Sequence, residues 1–381
     1  MRARRSTAGS RRCVLVARQD GFGDVLLAGP AVRAVAAGAR RVVMLCGPAG
    51  APAARLLPGV DEVLEWDAPW VGFRPPPVDR ADVAEVVARL AAVGADEALV
   101  LTSHHQSPLP TALLLRLAGV PRIAADSVDY PGSLLDVRHR RDPRAHEARA
   151  ALDLAEAAGF ALPAGDDGRL RVRPTPDVSR LAGPPGYVVV HPGASVPARA
   201  WSPARCAEAV RLLAAAGHRV VVTGGPRERA LTAAVAGRAA RDLGGRTGPA
   251  ELAGVLAGAR AVVVGNTGPA HLAAAVGTPV VSLFAPVVPA ERWAPYRVPR
   301  VLLGDQRAPC AGSRARCCPV PGHPCLDEIS ARDVLAAVDK LAGSTAARPA
   351  VVGPAGGAPT SRAAHPSDDA QPGGRAEGTG G

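Results

Sequence analysis

Short runs of Val, Leu and Ala alternate with longer helical stretches along most of the chain. Cys13-Val-Leu-Val-Ala-Arg18 is apolar, rich in Val and too short for a helix, the pattern of a parallel strand buried on both faces. Gln19 to Gly23 form a turn, and Asp24 opens a helical pattern running through Val25, Leu26, Ala28 and Val32 to Val35. Arg41–Cys46, Glu62–Trp66 and Ala98–Thr102 read as further strands, with a helix over Val78–Val93. Pro75-Pro76-Pro77 is a stiff surface loop. Residues 161–186 are dense in Pro, Gly and Asp and break the rhythm. Within them Asp166-Asp167 reads as a solvated turn. The alternation then restarts: strands at Tyr187–His191, Arg219–Thr223, Ala261–Gly265 and Pro279–Phe284, and helices at Pro203–Ala216, Pro226–Arg238, Pro249–Leu256, Pro269–Val276 and Ser330–Leu341.

Strand alternating with helix predicts an α/β chain built on parallel sheets covered on both faces, in two doubly wound domains. The expected organisation is a basic N-terminal arm over 1–12, a first domain over 13–165, a linker over 166–186, a second domain over 187–342 and a disordered tail over 343–381. Such sheets bind ligands at the carboxyl ends of their strands, and two of them side by side leave a cleft between. The informative residues are therefore those that follow strands.

Composition narrows the function. With 381 residues and 48% apolar, two cores can be filled, and 3% aromatic content makes them Val, Leu and Ala cores. The net charge is +11, carried by Arg, with Lys340 the only lysine. These Arg residues are interspersed with Asp and Glu and lack stacking aromatics, which argues against nucleic acid as partner. A positive surface still suits anionic nucleotides or an anionic membrane. The apolar run Cys13–Ala17 is too brief for a secretory h-region, and Gly268–Ala290 is broken by Pro269, Pro279, Pro286 and Pro289. Seven cysteines, an odd number, fit a reducing cytoplasm.

Four motifs follow predicted strands. In Arg18-Gln-Asp-Gly-Phe-Gly-Asp24, Gly21 and Gly23 let backbone approach a ligand, and Asp24 is either a general base or a first-turn carboxylate serving its own helix. No third Gly follows Gly23 at dinucleotide spacing. In His191-Pro-Gly-Ala-Ser195 with Arg199-Ala-Trp201, Gly193 and Ser195 offer donors to phosphate. Arg199 is either a counter-charge for a departing diphosphate or an ordinary solvated Arg. In Thr223-Gly-Gly-Pro-Arg-Glu228, Gly224 and Gly225 allow a nucleotide close, and Glu228 either accepts from ribose hydroxyls or serves the turn. In Gly265-Asn-Thr-Gly-Pro-Ala-His271, the polar loop Asn266, Thr267 and Gly268 leads into a helix with Pro269 in its first turn. That helix start can face a diphosphate, and His271 either donates to phosphate or braces the loop. Cys310, Cys317, Cys318 and Cys325, near His323, lack a paired C-x-x-C knuckle; reduced thiols in a compact loop are expected, and metal binding stays open.

These motifs in this order resemble glycosyltransferase family 9, the lipopolysaccharide heptosyltransferase family, over about residues 13 to 341. Gly23-Asp24 is similar to the family's N-terminal motif, His191 to Trp201 to its Pro-Gly loop ending in Lys-x-Trp with Arg199 at the Lys position, and Gly224-Gly-Pro-x-Glu228 and Thr267-Gly-Pro-x-His271 to its later motifs. The late cysteine loop is also similar. The resemblance implies a GT-B fold with two Rossmann-like domains and an inverting reaction without metal or other cofactor. Asp24 would be the base, and a nucleotide-diphosphate sugar the donor. A cell-surface glycan or lipid-linked sugar would be the acceptor, reached by a cytoplasmic protein with peripheral contact at the inner membrane face. Where the family has Asn-Asp before Thr-Gly-Pro, this chain has Gly265-Asn266, which leaves the donor sugar open with heptose as default. Donor-only processing by an epimerase or hydrolase, and an inactive nucleotide-sugar binder, are the alternatives.

Overall fold

The computed structural model describes residues 12–345. Its twelve strands, all in parallel pairs, form two six-stranded sheets. The first holds β1 (Cys13–Ala17), β2 (Arg41–Cys46), β3 (Glu62–Glu65), β4 (Glu97–Val100), β5 (Ile123–Asp126) and β6 (Val137–His139). The second holds β7 (Tyr187–His191), β8 (Val220–Val222), β9 (Arg241–Asp242), β10 (Ala259–Gly265), β11 (Val280–Leu283) and β12 (Arg300–Leu303). The orders are β3-β2-β1-β4-β5-β6 and β12-β11-β10-β7-β8-β9, the same doubly wound topology twice. Each sheet reverses direction once, between β1 and β4 and between β7 and β10. Those two switch points open a crevice at the strand ends.

Period-two alternation sorts the strand side chains into layers. In β1, Cys13, Leu15 and Ala17 face one apolar cluster, while Val14 and Val16 face another. In β10, Ala261 and Val263 face a third cluster on the outer side of the second sheet. Val262 and Val264 point into the same cluster as Val14 and Val16. One core therefore runs continuously from sheet to sheet, and burial of Val and Leu there at about 25 cal/mol per Å² ties the halves together.

The expected single helix from Asp24 to Val35 is two helices, Phe22–Leu27 and Gly29–Gly38, parted at Ala28. Pro30 is the cause: it has no N–H to continue the ladder, and its ring crowds the carbonyl four residues back, at Leu26. Elsewhere the ends match local chemistry. Asp79 accepts the Asp82 N–H at 2.9 Å to start Arg80–Val93, and Ser202 accepts the Arg205 N–H to start Pro203–Ala215. Pro226–Glu228 is a 3₁₀ turn leading into the helix Arg229–Ala236. The last helix runs Ala331–Thr345, past the predicted start of the tail at 343; the remaining tail, like residues 1–11 of the arm, lies outside the described residues. Arg12 is anchored on Glu97 at 3.0 Å.

The segment read as a linker is packed down. Leu170 is buried, and the Arg173 N–H donates to the Leu56 carbonyl. Asp166, expected in a solvated turn, is half-buried with its carboxyl covered: Arg33 Nε donates to it at 2.7 Å and a second Arg33 nitrogen at 3.0 Å. This fork holds Asp166 down at about 2, below the usual carboxylate range. Asp167 keeps the exposed position, accepting from Arg169 N–H and Arg171.

Candidate active site

The crevice is a cleft of about 1100 Å³ lined from both halves. From the first half come the turn after β1, the loop after β4 and residues 70–73. From the second come the turn after β7, the turn after β10, Trp293 and Arg314. Buried polar atoms without a hydrogen-bond partner gather here. Gln19 Nε2, Trp70 Nε1, Arg199 Nε, Thr267 Oγ1 and His271 Nδ1 all belong to residues lining the cleft. Buried polar groups in a native fold are normally satisfied, so this set is prepared for a polar ligand.

At the cleft floor Arg18 is buried among three carboxylates. Its Nε lies 2.8 Å from Asp20, and one terminal nitrogen lies 3.4 Å from Asp24 and 3.7 Å from Glu147 while donating to Ser103 Oγ at 2.9 Å. Arg141 extends the chain of charges, reaching Glu147 at 3.3 Å and Asp126 at 2.8 Å. Asp24 sits in the first turn of Phe22–Leu27, where the helix dipole favours its charge, yet it makes no cap bond there. Its side chain is 29% exposed, open to the cleft. Burial pushes its carboxyl above the usual range; Arg18, Arg199 and a hydrogen bond from the Trp293 side chain partly offset this, while Glu147 adds to it. A carboxylate with a raised pKa, facing a cleft and held by an arginine, is suited to taking a proton from a hydroxyl.

Opposite, the strand β7 ends at His191, whose Nδ1 bonds Thr223 Oγ1 at 2.9 Å. Gly193, Ser195 and Arg199 follow and line the cleft. Arg199 ends the turn Pro197–Arg199; burial lowers its pKa and the charge of Asp24 raises it. No carboxylate forms an ion pair with Arg199 among the described residues, so it is a half-buried cation able to meet an anion in the cleft. Trp201 behind it is buried core.

Glu228 lines the cleft with one oxygen already committed, accepting the Gly225 N–H at 2.6 Å. Its carboxyl lies where a side chain on Gly193 would be, so that glycine is what lets the two loops meet. Gly224 and Gly225 do not line the cleft. A Cβ on Gly224 would lie 2.6 Å from Thr232 Cγ2, so Gly224 serves strand-to-helix packing.

In the motif after β10 the predicted site residues Asn266, Thr267, Gly268, Pro269 and His271 all line the cleft. Asn266 is buried and spans to Ala285, donating to its carbonyl at 3.3 Å and accepting its N–H at 3.4 Å, which fixes the loop against the end of β11. Thr267, Gly268, Pro269 and His271 line the cleft at the start of Gly268–Ala275, where first-turn N–H groups lack helical partners. Here the two halves touch. A Cβ on Gly23 would lie 2.8 Å from His271 Cδ2 and 3.2 Å from Gly268 Cα. Gly21 and Gly23 both line the cleft, and Gly23 also abuts the facing helix start. His271 is buried, and burial holds it down at about 3, so its ring is neutral and its Nδ1 is unpaired.

Sequence reading missed Asp20, Ser103, Gln106, Glu147, Trp70, Trp293 and Arg314. Ser103 and Gln106 could have been found, since they follow a predicted strand at the switch point. Trp293 and Arg314 carry no such signal. The seven cysteines are free thiols, and among the described residues no three His, Cys, Asp or Glu side chains gather so as to hold a metal ion. No described helix is long and apolar enough to cross a membrane.

Comparison with known proteins agrees with this architecture. The chain is similar in fold to E. coli ADP-heptose lps heptosyltransferase II, with 18% identity, 88% of this chain and 99% of that one covered, and a TM-score of 0.68. It is similar to the glycosyl transferase family 9 structure from Veillonella parvula at 16% identity, 88% and 98% coverage and TM-score 0.69. It is also similar to E. coli heptosyltransferase WaaC with ADP-2-deoxy-2-fluoro heptose, at 20% identity, 86% and 99% coverage and TM-score 0.64. No curated protein matches the chain. Residues 83–322 match the model of glycosyltransferase family 9 (heptosyltransferase). With that match spanning more than half the chain, on two doubly wound sheets around one cleft, the protein belongs to glycosyltransferase family 9 and is a glycosyltransferase of the GT-B fold.

Proposed function

We propose that this enzyme transfers a sugar, heptose by family default, from a nucleotide-diphosphate donor to a hydroxyl of a glycan or lipid-linked acceptor, with inversion and without a metal. The observation that carries the proposal is the opposition of Asp24 and Arg199 across one cleft: a carboxylate with a raised pKa faces a cation that has no carboxylate partner. Asp24 takes the proton as the acceptor oxygen forms its bond to the anomeric carbon. The bond from that carbon to the β-phosphate oxygen breaks on the opposite face, which gives inversion.

Arg199, the donors of Gly193–Ser195 and the helix start at Thr267–Gly268 receive the charge that develops on the leaving diphosphate. Gln19 Nε2 and Trp70 Nε1, unpaired donors on the first half, are placed for acceptor oxygens. ADP is the first nucleotide to test, since E. coli heptosyltransferase WaaC has been solved with ADP. The acceptor is expected at the inner membrane face.

Calorimetry and thermal-shift measurements against ADP-, GDP-, UDP- and dTDP-sugars, without added metal, test the donor half of this reading. Binding of one donor, weakened by Arg199→Ala or Glu228→Ala, supports it. Binding of none of them would remove the transferase mechanism proposed here and leave the fold in place.

A further inference from the structure

The loop between Leu303 and Pro324 carries Cys310, Cys317 and Cys318 and gives Arg314 to the cleft wall, and it also holds the turn that presents Arg199. Two hydrogen bonds make the link. The Ala198 N–H donates to the Arg316 carbonyl at 2.9 Å, and His323 Nε2 lies 3.2 Å from the Ala198 carbonyl. A carbonyl only accepts, so Nε2 carries the proton and donates. Both backbone groups of the residue before Arg199 are thus held by a loop more than a hundred residues away in sequence. Beneath them Ala308, Cys310, Cys325 and Leu326 share one apolar cluster with Ala198 and Trp201, so the turn rests on the loop as well as bonding to it.

His323 occupies an unusual backbone position for this purpose. Its φ of 49° and ψ of 47° are left-handed, a conformation that crowds Cβ against the following carbonyl and that glycine adopts freely. The backbone alone would be better served by glycine, which already stands next to it at Gly322. What glycine cannot supply is a ring reaching to Ala198. Strained residues persist where the surrounding structure holds them for a purpose.

We infer that His323 is a positioning residue: through Ala198 it fixes the Pro197–Arg199 turn, and so holds the Arg199 guanidinium on the Asp24 side of the cleft. This rests on the reading of Arg199 as a diphosphate contact. Arg199 has few other restraints, since its Nε has no partner within the fold.

The test is calorimetric titration of the full chain with ADP, run on wild type, Arg199→Ala, His323→Gly, His323→Gln and the Arg199→Ala/His323→Gly double variant, with thermal melting alongside. Arg199→Ala and His323→Gly are each expected to weaken ADP binding about ten-fold, the scale of one strong hydrogen bond. The double variant should bind no more weakly than Arg199→Ala alone, because both changes act through one guanidinium. His323→Gln keeps an N–H donor on a side chain of similar reach and should recover most of the affinity. His323→Gly relieves the left-handed strain and should melt no lower than wild type, which separates positioning from loss of fold. Wild-type ADP binding by His323→Gly, or a full additive loss in the double variant, overturns the inference and leaves Arg199 in place. Wild-type binding by Arg199→Ala overturns instead the role of Arg199, and the positioning role with it.

Discussion

Replacing Asp166 by Asn tests whether the segment between the sheets is a locked element. In the wild type the Asp166 carboxylate is buried and forked by Arg33, and its pKa falls from the ordinary 3.8 to about 2. At 1.36 kcal/mol per unit, that fall corresponds to roughly 2 kcal/mol of folding stability at neutral pH. Asp166→Asn removes it and also leaves the Arg33 charge, itself only 9% exposed, without its partner, so the total loss lies nearer 3–5 kcal/mol, as for other broken buried pairs. Unfolding entropy of about 2.1 cal/mol/K per residue, over a chain of this length, converts that loss to a drop in Tm of roughly 4–6 °C.

The sign with pH follows from the direction of the shift. A depressed carboxylate contributes fully above its unfolded value near 3.8, and the contribution fades as pH falls towards 2. Scanning calorimetry of both proteins from pH 7 to pH 3 should therefore show a constant gap down to about pH 4 that narrows below it. Equal melting at pH 7, or a gap that does not change between pH 4 and pH 3, would refute the assignment of this pair as the lock.

Other expectations concern the cleft. Asp24→Asn should lower turnover by about a hundred- to ten-thousand-fold with donor binding retained, and near-normal turnover would remove Asp24 as the base. Because its pKa is raised in the fold, Asp24 contributes stability below the ordinary value of 3.8 and loses it as pH rises through the folded value. The Asn variant should accordingly melt at or above wild type at pH 7. For the same reason the acid limb of the kcat/KM profile should lie above the usual carboxylate range; a limb at or below 3.8 contradicts the burial argument. Gly23→Ala sets a Cβ 2.8 Å from His271 and 3.2 Å from the Gly268 backbone, so it should cost about 1–3 kcal/mol in chemical denaturation and weaken donor binding. Unchanged denaturation would show that the two helix starts have room to part.

The sequence by itself determined most of the scaffold. Runs such as Cys13–Ala17, 187–190 and 261–265 are apolar on both faces, and such runs are stable only as inner strands of a covered parallel sheet. Once those strands are recognised, topology puts the next few residues at the ligand crevice, which is why Asp24, Arg199, Thr267 and His271 were legible. Short edge strands such as Val137–His139 and Arg241–Asp242 were not, because polar residues there are decided by a neighbour's ladder and not by burial. Tertiary structure alone decided how each candidate is used. Gly23 and Gly268 read as ligand-facing glycines in sequence and do line the cleft, but they also form the close contact between the two halves, which the sequence did not show. Asp166 looks like a turn residue until Arg33, 133 positions away, reaches it. Trp293, Glu147 and His323 act through partners far off along the chain. Local patterning records which face of an element is buried, but ion pairs and braces between distant segments depend on side-chain distances that only the packed fold sets.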